Sequence, residues 1–328
     1  MDVFIGHESA LAYWRGASLD EPLHASRVSP KPGNVVSAED AARAMDAHPA
    51  FRPGPLDILV ASPADRRRSK MARARIWSMT GSPASFVAIG GGCYVSTPEA
   101  CFLQLAKDLD FIQLAKTGME LCGTYALGDH PSGFTVRSWG ATPTTSKALA
   151  SYLEKARSAG ASSCKAAANA ARFIATGSHS PAETNIFLLL SLPVRIGGYG
   201  IDPPLLNPAL ALTRAPNSAL GRNARQRFRR GQRRPDFFWP KARLALEYES
   251  DLAHCGKERL SADSRRRGEL ELEGIHVLTL TREQLYNADR FDQMARTIIR
   301  LTGRRQRGFT QSQLRKRAAL RREVLFGG

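Results

Sequence analysis

Two short apolar runs that carry acids, joined by a turn, constrain this chain more than any other segment. The first is Arg234-Pro235-Asp236-Phe237-Phe238-Trp239-Pro240 and the second Arg243-Leu244-Ala245-Leu246-Glu247-Tyr248-Glu249. Residues two apart on a strand point to the same face, so Glu247 and Glu249 project together, with Leu244, Leu246 and Tyr248 on the other side. The turn at Pro240-Lys241-Ala242 folds the runs into a hairpin, which brings Asp236 close to both glutamates. Converging carboxylates raise one another's pKa and are costly to hold together unless a hard cation sits among them. Mg²⁺ takes oxygen ligands, often one or two carboxylates plus a substrate phosphate, and is the expected ion, with Mn²⁺ as the substitute. Asp236, Glu247 and Glu249 are then its ligands; the competing reading pairs these acids with neighbouring arginines.

Charge points to the partner. The chain carries a formal charge of +17 over 328 residues. Its arginines cluster just before the acidic hairpin, at 214, 222, 225, 227, 229, 230, 233 and 234, and a second basic cluster runs from Arg300 to Arg322. Arginine grips phosphate through two parallel hydrogen bonds, and arginine-rich segments bind polyanions in a salt-dependent way. Arg225, Arg227, Arg229, Arg230, Arg233 and Arg234 are therefore expected to contact nucleic-acid backbone. DNA is the expected partner, and nothing in the sequence separates DNA from RNA. Cys93, Cys101, Cys122, Cys164 and Cys255 have neither metal-ligand spacing nor an even count, which reads as reduced thiols in the cytoplasm. No signal peptide or membrane-length apolar stretch is evident.

The length suggests two domains. An α+β unit is expected over 1–127, a linker rich in Gly, Pro, Ser and Thr over 128–145, a second domain over 146–303 and a basic tail over 304–328. In the first unit, His7 to Trp14 reads as a helix and Leu56 to Val60 as a strand. Gly90-Gly91-Gly92 reads as a turn rather than a phosphate loop, since no Gly-Lys-Ser/Thr follows it. Thr97-Pro98 starts a helix, with Thr at the N-cap and Pro at the first helical position. In the second unit, helices are expected over 146–158, 162–176 and 180–190, the last bearing Glu183. The acidic hairpin follows, then a helix over 262–273, a strand over 275–280 and a helix capped by Thr281-x-x-Gln284. That order suits an α/β domain with a mixed sheet flanked by helices. The basic tail can form a helix over 310–325 that orders on nucleic acid.

Taken in order, Ser180-Pro181-Ala182-Glu183, Pro235-Asp236-Phe237, Glu247-Tyr248-Glu249, His254, Asp263-Ser264-Arg265-Arg266 and Gly274-Ile275-His276-Val277-Leu278 resemble a known pattern. It is that of the PD-(D/E)xK nuclease superfamily, and within it the very-short-patch-repair endonuclease-like family known as domain of unknown function 559. The resemblance covers about 180 to 300 and implies a restriction-endonuclease-like fold and metal-dependent cleavage of DNA. It also implies roles for three residues outside the hairpin. Glu183 would support the metal or its water, although Ser180 to Glu183 is equally a capping box. His254 would transfer a proton or touch phosphate. Arg266 would stabilise phosphate charge in the transition state, or else form an exposed helix pair with Asp263. The superfamily's usual lysine is here Glu249, followed by Ser250 where the close family has Asp-Gly. The longer arm shifts a ligand, so the alternative function is a DNA-binding regulator or antitoxin-like protein whose nuclease fold has lost catalysis.

The first unit resembles the antitoxin half of abortive-infection type IV toxin–antitoxin systems. His7-x-Ser9-Ala10-Leu11 and the run from Tyr94 to Ala106 carry the likeness. It implies a toxin or regulatory protein as a further partner.

Overall fold

The structure, a computed structural model, describes residues 2–16, 27–29, 32, 37–51, 54–66, 69–77, 79, 83–128, 130–137, 142–211, 232–250, 267–304 and 308–327. It is mixed α/β, with mixed sheets flanked by helices, and divides into two units, Met1–Thr176 and Gly177–Gly328.

In the first unit β1 (Val3–Ile5) is central and wholly buried, because Val, Phe and Ile on a short strand have an apolar face on either side. It pairs in parallel with β6 (Cys93–Ser96) and antiparallel with β3 (Leu56–Val60). Outside these lie β5 (Phe86–Gly90) and β2 (Arg27–Val28) on one side and β4 (Ala72–Ile76) on the other. Gly90, Gly91 and Gly92 take φ of 94°, 59° and 72° and turn β5 back onto β6, as the triple glycine predicts. Helix α1 (His7–Gly16) packs on α3 (Pro98–Leu105), whose N-cap Thr97 accepts from the Ala100 N–H at 3.3 Å.

The domain boundary lies later than the sequence suggests. Within the expected linker, β8 (Phe134–Val136) pairs with β7 (Tyr125–Leu127). Helices α5 (Ser146–Ser158) and α6 (Cys164–Ala171) belong to the first unit, not to the second domain, and α6 ends five residues before the expected Thr176. The reason is packing. The stripe Leu149, Tyr152, Leu153 and Ala156 is buried against α3 and α6. The Tyr152 hydroxyl lies 2.8 Å from Ser85 Oγ, and Thr144 donates to the buried Glu99 at 2.6 Å.

The second unit is built on a mixed sheet in the order β14-β13-β12-β9, with β9 at Leu205–Leu206, β12 at Phe237–Trp239, β13 at Leu244–Glu249 and β14 at His276–Thr281. β12 and β13 form the expected antiparallel hairpin, with Phe237 opposite Leu246 and Trp239 opposite Leu244. Arg243 closes the turn at φ 47° and reaches over to the carbonyls of Glu273 and Gly274. β13 and β14 run parallel, a pairing that needs a crossover; residues 267–272 of it are helical. Leu270 of that helix, Phe238, Ala245, Ile275 and Val277 form a core cluster on one face of the sheet.

Helix α7 (Pro181–Ser191) starts at the N-cap Ser180. α8 (Arg282–Tyr286) starts in the Thr281–Gln284 capping box, and α9 (Ala288–Leu301) follows. The basic tail expected over 304–328 is instead largely a packed helix, α10 (Gln311–Phe326), lying on α7. Arg317 explains the difference. Its guanidinium sits 3.9 Å from the Tyr199 ring and 3.8 Å from the Phe309 ring and donates to Asp292 at 2.7 Å. Arg321 is also buried, donating to the Leu285 carbonyl at 2.8 Å. These two arginines are core cations, not phosphate ligands. No helix among the described residues is long and apolar enough to cross a membrane.

Candidate active site

The hairpin register sets the geometry. Continuing the pairing Phe237↔Leu246 by one step places Asp236 opposite Glu247, so the two side chains share a face. Glu249 is one pleat further along that face, at the last residue of β13. The same face carries the apolar cluster of Phe238, Ala245 and Val277, which gives way to Asp236, Glu247 and Thr279 at its polar end.

Asp236 is held from two sides. Its Oδ2 accepts the Tyr248 N–H at 2.7 Å, and its carbonyl accepts the Asn207 N–H at 3.0 Å. Burial, with the negative charge of Glu183 next and that of Glu247 last, pushes its carboxyl up to about 7, against the opposing pull of the Tyr248 amide. The carboxyl thus keeps its proton well above the ordinary carboxylate range, a state that a cation would oppose.

Glu183 is 6% exposed and fully engaged. Oε2 accepts from the His179 N–H at 2.9 Å and from Asn207 Nδ2 at 2.7 Å, while Oε1 lies 3.2 Å from Ser180 Oγ. Ser180 Oγ accepts the Glu183 N–H at 3.2 Å, so the N-cap exists as expected, but the glutamate reaches back to the amide of His179 rather than that of Ser180. Burial raises its pKa, opposed by these three donors. Glu183 therefore acts on Asp236 through its charge, with its oxygens already committed.

Asn207 is the residue that sequence reasoning misses. It follows β9 in a left-handed conformation, φ 47°, which asparagine tolerates better than most residues. From there its Nδ2 also reaches the Gly177 carbonyl at 2.9 Å, so one residue ties the start of α7, through its side chain, to Asp236, through its backbone N–H. A lone asparagine between Leu206 and Pro208 carries no pattern that would reveal this.

Among the expected cationic residues, Arg233 is half-buried and pairs with Glu269. Arg234 is exposed, and its charge, after burial, lowers the pKa of His179, which places it beside the entry to α7. Arg225, Arg227, Arg229, Arg230, His254, Asp263 and Arg266 lie outside the described residues. Arg267, the next residue, is described: it is exposed and its Nη2 donates to Thr279 Oγ1, the strand partner of Glu247. A cation thus stands at the polar end of the acidic face.

The donor set suits a hard cation. Asp236, just before β12, and Glu247 on β13 would supply carboxylate oxygens to such an ion, which would relieve their mutual repulsion. Among the described residues no group of three or more His, Cys, Asp or Glu is gathered to hold a metal ion, and Asp236 and Glu247 are the two acids that the hairpin register sets opposite one another. Two carboxylates are enough for Mg²⁺ when substrate phosphate completes the shell. Comparison with family models, with curated proteins and with solved structures finds no match for this chain.

Proposed function

We propose that the second unit is a restriction-endonuclease-like domain of the PD-(D/E)xK type that hydrolyses DNA phosphodiesters with Mg²⁺ or Mn²⁺. The observation that carries this reading is Asp236 opposed to Glu247 on a hairpin, with its carboxyl raised to about 7 by burial and by the charges of Glu183 and Glu247. The bound ion would supply charge neutralisation and a more acidic water. Asp236 and Glu247 would hold it, Tyr248 and Asn207 would fix Asp236 in place, and Glu183 would keep the pocket negative enough to retain a cation. Arg267 and Arg234 would orient the phosphate backbone by charge.

A second reading has its own support. Glu183 is locked by three donors, and a three-ligand group is absent among the described residues. Both fit a DNA-binding regulator, antitoxin-like and with a toxin or other protein partner, in which the fold outlasted the chemistry.

Nicking of plasmid and of single-stranded DNA and RNA, with Mg²⁺ or Mn²⁺, separates the two. Metal-dependent cleavage that disappears in both Asp236→Ala and Glu247→Ala, with binding retained, supports the nuclease. Tight, salt-sensitive binding without cleavage of any substrate supports the regulator.

A further inference from the structure

A buried polar cluster in the first unit has no part in the site above. His7 opens α1 at φ 48°, a left-handed backbone that residues other than glycine avoid and that is enriched at functional sites. Its N–H donates to Gln104 Oε1 at 2.8 Å and its carbonyl accepts from Cys101 Sγ at 3.4 Å. Gln104 is fixed in turn, donating to Ser96 Oγ at 3.0 Å. A Cβ on the preceding Gly6 would lie 2.8 Å from Gln104 Oε1, so glycine is required there as well.

The bend presents His7 to a pocket that it lines together with Trp77, Met79, Gln104, Lys107 and Ser162. Nδ1 is 3.0 Å from Asp108 Oδ2. A carboxylate only accepts, so the imidazole proton sits on Nδ1 and the lone pair on Nε2. Asp108 also meets Arg75 at 3.5 Å, and Arg75 reaches the buried Asp57 at 3.0 Å. Burial lowers the His7 pKa and so favours the neutral ring. Histidine, lysine and serine side chains therefore line this pocket beside a tryptophan.

We propose that this pocket binds a phosphate monoester, with Lys107 countering its charge, Ser162 donating to one oxygen and His7 Nε2 accepting from the protonated oxygen. The second ionisation of a monoester falls near pH 6, and it is the singly protonated monoanion that donates this proton to Nε2. Such a group is carried by a free mononucleotide or by the 5′ end of a nucleic-acid strand. The proposal is independent of the acidic hairpin.

The test is the tryptophan fluorescence of the full chain, titrated with inorganic phosphate, adenosine 5′-monophosphate, and a single-stranded oligonucleotide bearing a 5′ phosphate or a 5′ hydroxyl. The expected result is a saturable change with the phosphate-bearing ligands that is absent in Trp77→Phe. Affinity should fall about tenfold or more in Lys107→Ala and in His7→Asn, as for loss of a charged contact or a buried hydrogen bond. Asparagine accepts the left-handed backbone, so His7→Asn keeps the bend; if it fails to fold, the exposed Lys107 decides the matter alone. Tighter binding of the 5′-phosphorylated strand than of the 5′-hydroxyl strand and the mononucleotide identifies a strand end, and the reverse order identifies a free nucleotide. No saturable change with any ligand, or unchanged affinity in the folded variants, overturns the proposal.

Discussion

Asp57 in the first unit and Asp236 in the second are both withdrawn from water, but their neighbours differ in sign. Asp57 is fully buried and accepts from Arg73 at 3.1 Å and from Arg75 at 3.0 Å. The other buried acids of that unit follow the same rule: Glu99 meets Arg27 at 3.1 Å, and Glu120 takes both its oxygens to Arg15 at 2.8 Å. Among the described residues, the charges that bear on Asp236 are those of Glu183 and Glu247. A buried acid held by guanidinium is a structural solution, whereas acids gathered on one strand face make a site whose chemistry suits a hard cation.

The comparison can be broken most decisively by activity. If the acidic face is catalytic, Glu247→Ala and Asp236→Ala each lower metal-dependent cleavage by at least about a hundredfold, the scale of losing a transition-state electrostatic contact. Single-turnover cleavage with DNA binding measured in parallel checks this.

Stability should then respond with opposite signs. Asp57→Asn is expected to cost roughly 2 kcal/mol, less than a fully buried pair because both guanidiniums reach solvent. Asp236→Asn, in chelator at pH 8, is expected to stabilise by about 1–2 kcal/mol, since it removes the repulsion and can still accept the Tyr248 N–H. Urea unfolding of both variants measures the difference, and a destabilised Asp236→Asn would overturn the contrast.

The same site predicts a pH dependence. The folded Asp236 carboxyl titrates at about 7 and the unfolded one near the ordinary 3.8, so the folded state holds the extra proton between these values. This contribution to stability is fully present below the unfolded value and is lost as pH rises through the folded one. Mg²⁺ should therefore raise the melting temperature at pH 8 far more than at pH 5, and the gain should vanish in Glu247→Ala. A pH-independent gain would sharpen the comparison differently, by locating the cation elsewhere.

Smaller effects test the supports. Asn207→Ala removes a donor to the buried Glu183 carboxylate and places alanine at φ 47°, for a loss of about 2 kcal/mol by denaturation. Arg267→Ala is exposed and should change stability by less than about 0.5 kcal/mol. It should nonetheless weaken DNA binding and reduce the salt slope by about one unit.

Local chemistry determined much of this in advance. The Asp236 hairpin, the caps at Thr97, Ser180 and Thr281, and the glycine turn at 90–92 were legible because each depends on residues a few positions apart. The opposition of Asp236 to Glu247 followed from the same short-range register. Other features depend on partners distant in sequence, and only the tertiary structure decided them. The stripe on α5 was visible, but that it serves the first unit was settled by Ser85 and Glu99, which meet Tyr152 and Thr144 across a long stretch of chain. The cluster of Arg300 to Arg322 read as a polyanion grip, yet Arg317 found Tyr199, Phe309 and Asp292 and was buried. Asn207 carries no signature because its role is to join two elements, Glu183 on α7 and Asp236 before β12. Sequence alone thus determined which acids share a strand face, since that is a matter of backbone period. Which charges surround them was decided by the fold, since electrostatic energy depends on distance through space rather than along the chain.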